Sequence, residues 1–113
     1  MARQRKLKAP NAEYRSPDGD ALVLRGSMSP GTRREYADTL GGSPLSREDA
    51  WHRGVEFLFE RLAVSWELAG TEPITRQKEL LARFRMASQA ERAWIRDVLR
   101  EHVAEHFPDV PTP

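Results

Sequence analysis

One stretch constrains the fold of this chain more than any other. Residues 46–66 read SREDAWHRGVEFLFERLAVSW, with bulky apolar side chains at Trp51, Val55, Leu58, Phe59, Leu62 and Trp66. Those intervals lay one apolar stripe along an α-helix of about 3.6 residues per turn. His52, Arg53, Glu56, Glu60 and Arg61 fall between them and suit a wet face. Phe57 and Val64 lie off the stripe and widen the apolar surface. Such a helix needs cover from several neighbours or from another chain. Ser46 reads as its N-cap, with Glu48 and Asp49 favourable in the first turn and Leu45 with Ala50 as a weak staple. Gly54 costs about 1 kcal/mol relative to Ala mid-helix, which a close helix crossing would explain. The helix is expected to run on to Ala69-Gly70, ahead of Pro73.

A chain of 113 residues is expected to form one domain. Its 39% hydrophobic and 31% charged content belongs to a water-soluble globular class. No apolar run approaches the ~20 residues of a membrane helix. The basic start MARQRKLKAP is followed by no apolar segment, so it does not read as a secretory signal. Without cysteine, disulfides and thiolate metal sites are excluded. Charge is uneven. Residues 1–34 carry eight Lys/Arg against three acids, and residues 35–113 carry ten against fourteen. Residues 1–10 read as a basic disordered arm, since four charges and little apolar content cannot offset ordering entropy.

Residues 12–28 read as a β-hairpin. Glu13-Tyr14-Arg15 and Ala21–Arg25 are its strands, and Ser16-Pro17-Asp18-Gly19-Asp20 is its turn. Leu22 and Leu24 share one face, Val23 and Arg25 the other. A lone hairpin is marginal in water, so it must pack on helices or pair with copies of itself. Ser29-Pro30 starts a short helix with Tyr36 and Leu40 as apolar points, ended by Gly41-Gly42. Thr75 is placed as the cap of a helix over 76–86 that buries Leu80, Leu81 and Phe84. Ser88-Gln89-Ala90-Glu91 is a capping box for a last helix. Its seam is Trp94, Ile95, Val98, Leu99, Val103 and Phe107, and Pro108 stops it. Residues 109–113 are expected to fray. The fold class expected is therefore mainly α with a small N-terminal β-hairpin (α+β), three to four helices in one domain over 11–108. Trp51 and Trp94 are assigned to the core, and Trp66 either to the core or to an interface.

The sharpest chemical motif is His102-Val103-Ala104-Glu105-His106, which fits the inverted zinc-protease pattern H-x-x-E-H. It is rejected, because the third ligand of such enzymes lies well downstream and only seven residues follow His106. His52 is the upstream imidazole a metal site would have to recruit. Near a helix C-terminus, partly charged imidazoles are favourable. There is no G-x-S-x-G and no Gly-rich phosphate loop. Glu56–Arg61 and Asp97–Arg100 read as solvated ion pairs. No catalytic residue, metal or cofactor is expected.

The order of segments carries a resemblance. Asp20–Leu24 is followed by LRGSMSPGTRREYADTL, by a long helix ending LFERLAVSWELAG, and by EPITRQKELLARF with a closing amphipathic helix. This layout resembles the tail assembly chaperones of long-tailed bacteriophages over roughly residues 20–107. The echoes are Val64-Ser65-Trp66, Pro73-Ile74 and Leu80-Leu81. The resemblance implies a non-enzymatic chaperone or adaptor in the host bacterial cytoplasm that binds the tape measure protein, or another tail protein, during tail assembly. Phe57, Leu58, Phe59, Leu62, Val64 and Trp66 are the partner-binding candidates, by helix-in-groove contact. A homo-oligomer is expected from the open hairpin edge, and no membrane partner. The alternative is a small nucleic-acid-binding regulator using Arg3, Arg5, Lys6 and Lys8, which could equally touch an acidic partner.

Overall fold

The hairpin closes on Ser16. In the computed structural model, which describes residues 9–41 and 47–113, the Ser16 hydroxyl accepts from the amides of Asp18 and Asp20 at 3.2 and 3.0 Å. Gly19 takes a φ of +95°, a left-handed conformation that glycine adopts at least cost. Strands β1 (Ala12–Arg15) and β2 (Ala21–Leu24) then pair antiparallel, Tyr14 opposite Leu22. Leu22 and Leu24 face the core and Val23 is half-buried, as the alternation predicts.

Four helices and a third strand complete an α+β fold. Helix α1 is Pro30–Gly41 and α2 is Arg47–Leu62; strand β3, Ala63–Glu67, follows directly, and then α3, Gln77–Arg85, and α4, Gln89–His106. The sheet order is β1-β2-β3, antiparallel throughout. The main correction to the sequence reading is here. The stripe running to Trp66 was expected to be helical, but α2 stops at Leu62. Val64, Ser65 and Trp66 instead pair with β2, Leu22 opposite Trp66 and Val23 opposite Ser65. Helical and extended spacing cannot be separated over so short an apolar run. Pairing decides the matter, because β2 would otherwise leave its second edge unbonded. Val64 is the extra residue of a bulge, between Ala63 opposite Leu24 and Ser65 opposite Val23. Beyond it, the Trp66 and Ile74 backbones exchange two hydrogen bonds of 3.0 and 2.9 Å.

The core forms where α2, α3, α4 and the inner sheet face meet. Phe59 stacks on Phe84 with centroids 4.8 Å apart and meets Trp66 edge-on at 5.6 Å. Ile95, Val98, Leu99 and Val103 of α4, and Phe107 that caps its C-terminal end, are buried against this cluster. Trp66 is fully buried and therefore core. Trp51, assigned to the core from sequence, is 37% exposed. Trp94 is partly buried and packs against the core edge.

Helix termini follow their chemistry with one exception. Ser29 Oγ accepts from the Thr32 amide at 3.1 Å, and the capping box is complete, with Glu91 N to Ser88 Oγ 3.1 Å and Ser88 N to Glu91 Oε1 2.9 Å. For α3 the N-cap is Arg76, not Thr75, and no side chain caps it. Gly54 marks the crossing foreseen. A Cβ there would lie 2.7 Å from Leu40 Cδ2 and 3.4 Å from Tyr36 Cε1, so α1 sits almost on the α2 backbone. Residues 109–113, expected to fray, are tied to α1. Arg33 holds both Asp109 carboxylate oxygens at 2.8 and 2.7 Å, and the buried Tyr36 hydroxyl donates to Pro111 O at 2.7 Å. The proposed Ser46 cap, the Leu45 staple and the basic residues of the arm lie outside the described residues.

Candidate partner-binding surface

The six apolar candidates divide into two kinds. Leu58, Phe59, Leu62 and Trp66 are turned inward and buried, so their surface is spent on the chain's own core. Phe57 and Val64 are only partly buried. They are the two that the stripe analysis placed off the main seam. Phe57 stacks on Tyr36 at 6.2 Å, and the Arg61 guanidinium lies over its ring at 4.6 Å. Arg61 is held there by Glu35, 2.9 Å away on α1. Val64 is presented by the bulge in β3.

Some ion pairs run along α2, such as Arg53 with Asp49 at 3.2 Å, and others join elements. Arg61 pairs with Glu35, and Glu56 pairs with Arg85 at 2.6 Å instead of with Arg61. Of the basic residues in the first 34, Arg33 is engaged by Asp109, while Arg25 and Arg34 are exposed. Arg33 holds the Asp109 carboxyl below its ordinary range through their hydrogen bonds. Arg3, Arg5, Lys6 and Lys8 lie outside the described residues. Ala9 and Pro10 run past Gly26, where any side chain would collide with the Pro10 carbonyl.

In the H-x-x-E-H segment, His102 ties two distant elements together. His102 is buried, with Nε2 2.7 Å from Arg25 O and Nδ1 2.8 Å from the Tyr14 hydroxyl. A carbonyl only accepts, so Nε2 carries the proton and Nδ1 accepts from Tyr14. Both nitrogens are used, and no lone pair remains for a metal. Burial lowers the His102 pKa, opposed by the Arg25 carbonyl and assisted by neighbouring His106. The expectation of partly charged imidazoles at this helix end is therefore corrected for His102, whose charged form is disfavoured by burial. Burial, with Glu101 and Glu105 nearby, pushes the Tyr14 hydroxyl up to about 12. Among the described residues no three His, Cys, Asp or Glu side chains gather to hold a metal, and no helix is long and apolar enough to cross a membrane.

Sequence reasoning missed the surface around Trp51, because its place in the stripe reads as core. Trp51 and His52 of α2 face Arg96 of α4 across a hollow of about 140 Å³. A second hollow, of about 180 Å³, adjoins it above Val55, Phe84 and Arg92. A third, of about 440 Å³, lies between the hairpin turn and the start of α4 and is walled by Asp18, Asp20 and Glu91. No family model, no curated protein and no solved structure matches the chain.

Proposed function

We propose that this chain is a non-enzymatic assembly chaperone or adaptor of a long-tailed phage, acting in the cytoplasm of the bacterial host. It covers apolar stripes of the tape measure protein until tail tube subunits close around it. The observation that carries this reading is the aromatic surface left on α2. Trp51 is exposed and Phe57 partly exposed on a helix whose remaining apolar residues are satisfied internally. Exposed aromatic side chains on an ordered helix suit amphipathic partner helices. The layout supports the same reading. The segments that carry the resemblance are those that knit the domain together: the hairpin, Val64-Ser65-Trp66 in β3, and Pro73-Ile74 beside Trp66.

The test is co-expression with the tape measure protein of the same phage. Tape measure protein that is insoluble alone should become soluble and co-purify with this chain. Phe57→Glu should weaken that capture by about tenfold or more while the chain still unfolds in one cooperative thermal transition. A tape measure protein that stays insoluble, or co-purifies equally with Phe57→Glu, counts against the reading. If the chain instead retains nucleic acid in a strongly salt-dependent way through Arg3, Arg5, Lys6 and Lys8, the regulator reading takes its place.

A further inference from the structure

We infer that the groove between α2 and α4 is the seat of an acidic amphipathic helix from a partner protein. Two helical faces of matching length line it. From α2 come Glu48, Trp51, His52 and Val55, and from α4 come Gln89, Arg92, Ala93 and Arg96. Each set follows the spacing i, i+3, i+4, i+7, so each is one face about two turns long. The two hollows share His52, Val55 and Arg96 and run into each other. The floor is apolar, made by buried Val55 and Phe84. A helix laid between two others meets such a trough of apolar floor and polar rim.

The charge of the groove selects the occupant. Several arginines elsewhere meet carboxylates: Arg33 with Asp109, Arg61 with Glu35, Arg83 with Glu91, Arg85 with Glu56. Arg92 and Arg96 form no ion pair with a described carboxylate. Arg92 is held over the Phe84 ring at 5.0 Å by the carbonyls of Arg85 and Ala87. Arg96 lies over the Trp51 ring at 4.9 Å, and its Nε is buried without a hydrogen-bond partner. A buried, unsatisfied guanidinium nitrogen is costly in the free protein. An arriving carboxylate would engage the outer nitrogens of the same guanidinium with charge-assisted bonds. Glu48, 3.8 Å from His52, is the acid among the lining residues and faces two arginines. Trp51 supplies a broad aromatic anchor beside them. The fitting segment therefore places apolar residues on Val55 and Phe84 and carboxylates one turn apart against Arg92 and Arg96.

The inference rests on the adaptor reading only for which protein carries that helix, and the two are tested separately. The probe is a Leu/Glu amphipathic helical peptide of about 18 residues, long enough to be helical, with a Leu/Lys peptide of the same design as control. Binding to the intact chain is followed by calorimetry at low and high salt. The Leu/Glu peptide should bind and the Leu/Lys peptide should not, with affinity falling as salt rises. Arg96→Glu should weaken binding by at least about tenfold, and Trp51→Ala similarly, with each variant still showing a cooperative thermal transition. Phe57→Glu should leave peptide binding unchanged. Equal binding of both peptides, no binding of Leu/Glu, or indifference to Arg96→Glu overturns the inference. So does a self-associating chain whose dimer is lost in Trp51→Ala, which would make the groove a contact between copies. So does nucleic-acid binding abolished by Arg96→Glu. Tape measure protein captured equally by wild type and Arg96→Glu would sink the groove and spare the adaptor role. Peptide binding without tape measure capture would do the reverse.

Discussion

His102 joins the hairpin to the last helix through two hydrogen bonds, to Arg25 O and from the Tyr14 hydroxyl. It is fully buried and packs edge-on to Tyr14 and Phe107, with His106 alongside at 4.4 Å. Its pKa is lowered by burial below the ordinary 6.5. A depressed folded-state pKa means that the unfolded chain binds the proton more tightly. The stability this residue contributes is therefore complete above about pH 6.5 and is lost as pH falls through the folded value. Thermal midpoints measured from pH 7.5 down to 5 should decline, and the decline should flatten in His102→Gln. An equal slope in the variant would assign the dependence to other groups. Glu91 and Asp109, whose pKa values are also lowered, act at lower pH and are separable on that ground. Nothing in H-x-x-E-H itself distinguishes this tether from a ligand set. The distinction needs Tyr14 and Arg25, which lie 88 and 77 residues away in sequence.

Among the elements, the α1–α2 crossing and strand β3 were legible to different degrees. The crossing could be anticipated from one glycine in an otherwise strong helix, because only a close neighbour offsets its cost. Gly54→Leu would drive a side chain into Leu40 and the buried Tyr36. It should destabilise the protein by about 1–3 kcal/mol, read from denaturant unfolding as a lower midpoint at unchanged slope. An unshifted midpoint would mean that α1 can move away from α2. Strand β3 was hidden because Leu62 and Trp66 are four apart, a helical interval, while Val64 and Trp66 are two apart, an extended one. The β2 edge chooses between them. The change also redistributes the apolar residues. Leu58, Phe59, Leu62 and Trp66 all turn inward, whereas one continuous helix would have carried the stripe past residue 62. Phe57 and Val64 could be picked out as extra apolar surface from their place off the stripe.

At the scale of the whole molecule, long-range ties close a small fold at both ends of the chain. The hairpin turn is fastened to the end of β3, where Asp20 Oδ1 accepts from the Ala69 amide at 2.9 Å. The C-terminal residues are fastened to α1 through Tyr36 and Arg33, with Val110 against the core. Deleting residues 109–113 removes the partner of the buried Tyr36 hydroxyl and uncovers apolar surface. The cost should be about 1–2 kcal/mol, visible as a lower urea midpoint. A truly frayed tail would leave the midpoint in place. Two prolines and a helix stop suggested fraying because local composition carries no trace of a carbonyl that a tyrosine 75 residues away will find. The same holds for the α2–α4 groove. Trp51 and Arg96 are 45 residues apart, and nothing local to either announces the other. What the sequence determined by itself was whatever depends on neighbours within one or two turns: helix periodicity, the Ser29 and Ser88 caps, the Asp-Gly turn and the inward face of β2. What only the tertiary structure decided was the end of α2, the burial of Trp66 in place of Trp51, the use of both His102 nitrogens and the unpaired arginines of the groove. Each of these is set by which distant surface arrives to satisfy a backbone edge, a buried polar atom or a charge, and local spacing does not encode that arrival.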